Sequence, residues 1–163
     1  MRRSVSPKVV VLAALSRILV PALVTGHEPL PSPPAADTRC PVCGMLVAPH
    51  PAWTAQLVFS DGSRAYFDGS KDLFRYLLAR DRYLPDKKHL DVEAVFVTDY
   101  YELRPVSARS AFFVVGGDIR GPMGAELVPH TTRQAADEFL ADHGGLTVVT
   151  FDEVTTDLLR GLR

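Results

Sequence analysis

The sequence predicts an α+β protein made of two small tandem ββαβ modules. Two observations carry that class. The order strand, tight turn, strand, helix, strand is legible twice along the chain, and a methionine leads a Pro-His pair once in each half. At 163 residues, 47% hydrophobic and 23% charged, the chain can build one compact domain or two very small ones, and disorder throughout is excluded. A formal charge of −1 with scattered basic residues leaves no electrostatic footprint for nucleic acid.

The N-terminus reads as a targeting segment, with Met1-Arg2-Arg3 and Lys8 ahead of two apolar runs that Ser16-Arg17 separates. The expected division is a signal or anchor at 1–26, a proline-rich tether at 27–38 (Pro29, Pro31, Pro33, Pro34), a first module at 39–107 and a second at 108–163. In the first module, residues 53–60 and 64–67 read as strands joined across Asp61-Gly62, a strong hairpin signal. Asp68 or Ser70 is expected to cap a helix with Leu73, Phe74, Leu77 and Leu78 on its apolar face, and residues 91–98 form the third strand. In the second module, residues 111–115 and 124–128 are strands, and Thr131 or Thr132 caps a helix carrying Ala135, Ala136, Phe139 and Leu140. Thr131 with Gln134 fits a capping box, His143-Gly144-Gly145 ends the helix, and residues 146–151 close the module before a last short helix at 152–159. Each half is too small to bury much core alone, so the two are expected to pack together or stay joined through residues 100–107.

The chemistry concentrates in Cys40-Pro41-Val42-Cys43-Gly44-Met45, which holds both cysteines and places a thioether beside them. A thioredoxin-type motif needs a helix directly after it, and Gly44, Pro49 and Pro51 forbid one. A zinc ribbon needs a second cysteine pair, which is absent. A Cys40–Cys43 disulfide would close too small a loop to stabilise much. A mixed thiolate, thioether and imidazole site suits Cu(I), with Cys43 and Met45 on one side of an extended chain, His50 a few residues on and Met123 in the matching place of the second half. Met45 and Met123 lead Pro49-His50 and Pro129-His130 at spacings of four and six positions, a degenerate repeat. His130 and His143 border a helix cap and a helix end and are read as structural.

From about Arg39 to the C-terminus the chain resembles the NosL family, the copper-binding accessory proteins of nitrous oxide reductase. The resemblance is carried by Cys40-Pro-Val-Cys43-Gly-Met45, His50-Pro51, the segment from Phe67-Asp68 to Asp72-Leu73-Phe74, the strand end Phe113-Val-Val-Gly116, Pro122-Met123-Gly124 with Pro129, and Phe139 through Gly145. It implies a periplasmic or cell-surface chaperone that carries Cu(I) to apo-nitrous oxide reductase, or to another cuproenzyme, for assembly of a copper-sulfide cluster. A membrane copper transporter is a further implied partner. It also implies modules related to the metal-binding core of organomercurial lyase. Cys43, Met45 and Met123 match the family's sulfur donors and His50 its histidine before proline, while Cys40 belongs to the fuller Cys-x-x-Cys version.

The chain departs from the family where His27 follows Leu23-Val24-Thr25-Gly26 in place of a lipobox cysteine, which excludes lipidation by that route and leaves release or retention through the N-terminus. No hydrolase elbow, phosphate loop or carboxylate pair points to an enzyme. The alternatives are an extracytoplasmic thiol–disulfide oxidoreductase using Cys40 and Cys43, and a structural module whose cysteines merely pair.

Overall fold

The structure, a computed structural model, describes residues 29–162. The expected signal or anchor at 1–26 and the lipobox position His27 lie outside the described residues. Among the described residues, no helix is long and apolar enough to cross a membrane.

The first sheet begins with β1 (Ala55–Phe59) and β2 (Arg64–Phe67), joined across Asp61-Gly62. Gly62 takes φ +78°, and Asp61 Oδ1 accepts the Ser63 amide at 2.8 Å, so the turn is built by the residues that announce it. β3 (Val92–Thr98) pairs antiparallel with the other edge of β1. A fourth strand, β4 (Pro105–Ser107), follows on the edge of β3, giving the order β2-β1-β3-β4. β4 is not legible in the sequence. It is three residues long and starts with a proline that only an edge strand tolerates.

Register sorts the two faces of this sheet. Leu57 pairs with Ala65 and Val95 on the core face, whereas Gln56 pairs with Tyr66 and Phe96 on the other. The polar face is covered by the proline-rich segment, since Ser32 donates its amide to Gln56 Oε1 at 3.1 Å and its hydroxyl lies 2.8 Å from the Tyr66 hydroxyl. Residues 31–34 are therefore laid against the sheet instead of standing free as a tether. Their extended backbone leaves its donors and acceptors open to the side chains of β1 and β2.

Helix α1 (Ser70–Leu78) follows β2, but neither Asp68 nor Ser70 caps it. Gly69 is the cap residue, and the first-turn amide of Lys71 is taken by the carboxylate of Glu126 from the other half of the chain. Asp68 is diverted to Cys43. The helix buries Leu73, Phe74 and Tyr76, while Leu78 is exposed. A short helix, α2 (Arg80–Tyr83), leads on to β3.

The second sheet has three strands, with Phe112–Gly121 between Gly124–His130 and Thr147–Thr150. β5 (Phe112–Gly121) runs past its expected end through an irregularity between Val115 and Arg120, where Gly116 takes φ +84°. β6 (Gly124–His130) returns from a turn at Pro122-Met123. Helix α3 (Arg133–His143) is capped by Thr132, whose Oγ1 accepts the Ala135 amide at 3.1 Å. The expected Thr131–Gln134 capping box does not form. Thr131 donates its hydroxyl to Asp99 at 2.7 Å, and Gln134 bonds Glu138 one turn on. Gly144, at φ +64°, ends the helix ahead of β7 (Thr147–Thr150). The last helix, α4 (Thr156–Gly161), starts later than expected because Thr150 and Glu153 form a capping box over a separate 3-10 turn, and Thr155 then caps α4.

The main core draws on both halves, with Leu57, Phe67 and Leu73 in one cluster with Phe113, Val115 and Leu127. Phe74 stands at its centre, with ring centroids 5.1 Å from both Phe113 and Phe151. A smaller cluster of Val114, Val128, Ala136 and Phe139 lies under α3. Beside it His130 is fully buried against Tyr100, Tyr101 and Phe139, and burial pushes its pKa down so that the ring is kept neutral.

Phe74→Ala is expected to cost about 3–5 kcal/mol. Because Phe74 touches both halves, far-UV dichroism and the fluorescence of Trp53 should report a single earlier denaturation. Trp53 packs against Tyr100 and the cluster under α3, so a far-UV transition that moves while the Trp53 transition stays in place would contradict a shared core.

Candidate metal centre

The Cys40–Met45 stretch folds into a tight loop in front of α1. Cys40 accepts the Gly44 amide at 2.9 Å and donates its own amide to Met45 at 2.8 Å, while Arg39 bridges to Leu46. Gly44 sits at φ +78°, a backbone conformation that side chains disfavour, which is why the loop can close so sharply. The motif is thus a small hairpin and precedes no helix of its own.

That loop sets both thiols over the start of α1. The ligand atoms of Cys40, Cys43, Asp68 and Asp72 all lie within 4.8 Å of one another. Cys43 donates to Asp68 Oδ1 at 3.2 Å, and Cys40 to Asp72 Oδ2 at 3.6 Å. Asp72 Oδ1 is held by Arg75 at 2.9 Å, whereas Asp68 Oδ2 is buried without a hydrogen-bond partner among the described residues. An unpartnered buried carboxylate oxygen is costly unless a cation or donor arrives, so this atom fits a site that receives something. Cys40 is only 1% exposed and Cys43 is half-buried, so the cluster is open from the Cys43 side.

Both cysteines are free thiols, so the disulfide weighed from the sequence is not formed. Burial pushes the Cys43 thiol up to about 11, with Asp68 adding to the rise, and burial pushes Cys40 higher still. The direction is opposite to that of an exchange-active cysteine, whose thiolate is stabilised by a helix N-terminus or a cation.

The remaining expected residues are placed at different removes. Met45 is half-buried in the same loop as Cys43. His50 occupies the next turn, where its carbonyl accepts from Trp53 and Thr54. Met123 is 42% exposed at the tip of the β5–β6 turn. Lys71, only 3% exposed on the first turn of α1, donates its ammonium to the Met123 carbonyl at 2.8 Å and also to that of Ala125. Beside it Glu126, 4% exposed, accepts the amides of Lys71 and Leu127, and burial raises its pKa to about 7. A side chain at Gly69 would put its Cβ 2.9 Å from the Glu126 carboxyl carbon, so glycine is what lets the two halves close here. The turn bearing Met123 is therefore fastened to the helix start that bears Asp68 and Asp72.

Asp68 and Asp72 are the site residues that sequence reasoning missed. The available signal was two acids one helical turn apart at a predicted helix start, which put both on one face. Asp68 reads more simply as a cap. Lys71 and Glu126 give no local signal, since their partners are 52 and 55 residues away.

A scaffold of two antiparallel sheets that converges two reduced thiols and two carboxylates on one helix start defines a candidate metal-holding protein of the α+β class. The chain belongs to the NosL family, whose profile matches residues 31–159. It is 30% identical over 123 residues to the copper-binding lipoprotein NosL of Stutzerimonas stutzeri, an alignment covering 75% of this chain and 64% of that protein. The chain thus spans somewhat under two thirds of that curated relative. Its fold matches the crystal structure of the copper chaperone NosL from Shewanella denitrificans with a TM-score of 0.66 and 26% identity, over 80% of this chain and 98% of that one. The solution structure of apo-NosL from Achromobacter cycloclastes aligns at 24% identity and a TM-score of 0.45 over 64% of this chain and 87% of that one.

Alkylation of the metal-free protein should accelerate about tenfold per pH unit through neutral pH, as a thiol that ionises well above neutrality requires. Peptide mapping should place the label on Cys43, with Cys40 protected until the protein unfolds. A rate that levels off near pH 8.5, or Cys40 labelled first, would contradict this account of the site.

Proposed function

We propose that this protein is an exported Cu(I) metallochaperone, periplasmic or held at the cell surface, that binds copper as cargo and passes it to an exported cuproenzyme. Apo-nitrous oxide reductase is the recipient that the family points to, with copper-sulfide cluster assembly as the use. The observation that carries the reading is the convergence of two unpaired thiols, one nearly buried and one reachable, in a loop that also supplies Met45. The names of the two relatives, a copper-binding lipoprotein and a copper chaperone, support the choice of metal.

In this reading the cargo is held by Cys43, Met45 and Met123, with His50 and Cys40 completing the donor set. Thiolate, thioether and imidazole are the ligands a soft monovalent ion selects, and carboxylates are not. Asp68 and Asp72 then have a different task. Copper displaces the thiol protons, and Asp68 Oδ1 and Asp72 Oδ2 are the acceptors that already face them. A site open on one side and completed by a methionine from a separate turn can be closed for transport and opened for transfer. The protein acts as a carrier and performs no catalysis. The raised thiols weigh against the redox alternative, because exchange chemistry needs the thiolate at neutral pH.

Titration of the reduced protein against a chromophoric Cu(I) chelator is expected to show about one tightly bound ion, matching a single soft-donor set. Cys43→Ser should abolish that competition, and absence of binding by the unsubstituted protein would overturn the chaperone reading. Lys71→Met, which removes the ammonium that fixes the Met123 turn, should weaken Cu(I) binding by roughly 10- to 100-fold, as groups that orient a ligand do. The same substitution made in a Met123→Ala protein should then add nothing. Equal losses in both backgrounds would mean that Lys71 acts only on folding.

A further inference from the structure

Three arginines from three different helices face one cleft. Arg75 of α1, Arg82 of α2 and Arg160 of α4 line a cleft of about 250 Å³ together with Leu78, Tyr83 and Leu159. Among the described residues, no carboxylate lines it. The two acids that touch these arginines do so from outside: Asp72 takes one nitrogen of Arg75, and Asp157 pairs with Arg160 at 3.0 Å where both side chains are well exposed. An exposed pair of that kind contributes little and gives way readily to a better-placed carboxylate. Arg82 has no carboxylate partner among the described residues and lies against the Tyr83 ring, 5.5 Å from its centroid.

From this arrangement we propose that the cleft between α1, α2 and α4 is a docking surface for an acidic segment of a protein partner. Guanidinium groups grip carboxylates through two parallel bonds, and three of them spread over separate helices match successive acidic side chains better than one compact anion. The cleft also has an apolar lining, in which Leu159 is buried and Leu78 is exposed, and this suits the methylene stems of a peptide. A free phosphate would call for donors converging on one point, and the lining supplies three arginines in place of such a nest. Arg75 belongs to both places, lining the cleft while its Nη1 holds Asp72 of the thiol cluster. A partner seated here is therefore one residue away from the metal centre. The proposal itself does not depend on which metal that centre holds.

The test is fluorescence anisotropy of a labelled hexaglutamate peptide titrated with the full chain, beside hexalysine and inorganic phosphate. Hexaglutamate is expected to bind, to weaken as salt is raised from low to physiological strength, and to lose roughly tenfold or more in affinity with Arg82→Gln/Arg160→Gln. Both substituted side chains are exposed, and each single variant is measured beside the double one so that a folding defect in one does not decide the outcome. Undiminished binding by the variants, equal binding of hexalysine, or displacement of hexaglutamate by phosphate at no higher concentration would overturn the proposal.

Discussion

The contact on which the site depends is the buried junction of Lys71 with the β6 strand. An ammonium and a carboxylate are taken out of water together there, a step that is unfavourable unless nearly every donor and acceptor is satisfied. Main chain does the satisfying. Lys71 gives its ammonium to the carbonyls of Met123 and Ala125, and Glu126 takes the amides of Lys71 and Leu127. The carboxylate replaces the missing side-chain cap of α1, which leaves Asp68 and Asp72 at liberty to face the thiols.

Two turns from different halves of the chain thus stand at one helix start. The Cys40–Met45 loop approaches it from the first half, and the Met123 turn from the second. The first is held within its own half by the contacts of Cys40 and Cys43 with Asp72 and Asp68, whereas the second reaches α1 only across the junction at Lys71. The aromatic contact of Phe74 with Phe113 and Phe151 supplies the apolar counterpart of the same docking, and its burial offsets part of the cost of burying the Lys71 ammonium. The result is rigid beneath the thiols and open above Cys43. That combination suits a protein that must hold an ion without enclosing it.

Local chemistry was legible in the sequence, and long-range chemistry was not. The Asp61-Gly62 turn and the glycine after His143 are each written in two or three neighbouring residues, and those elements form where their signals stand. Cys40 and Cys43 come together for the same reason, as neighbours in one short loop. Asp68 reads locally as a cap because a carboxylate before a helix normally is one, and only a contact across 25 residues, from Asp68 to Cys43, gives it another partner. The proline-rich segment was misread because composition describes how a chain behaves alone, whereas Gln56 and Tyr66 supply it with a surface. β4 and the extension of β5 escaped because edge pairing and a glycine irregularity extend a sheet without any periodic signal.

The central claim is that sulfur from both halves surrounds one copper ion. X-ray absorption of the Cu(I)-loaded protein, grown with selenomethionine so that Met45 and Met123 carry selenium, tests this most directly. The account predicts a sulfur-dominated first shell with copper–selenium scattering that falls, without vanishing, when Met123 is replaced. A first shell of oxygen and nitrogen alone, or selenium scattering indifferent to Met123, would contradict it.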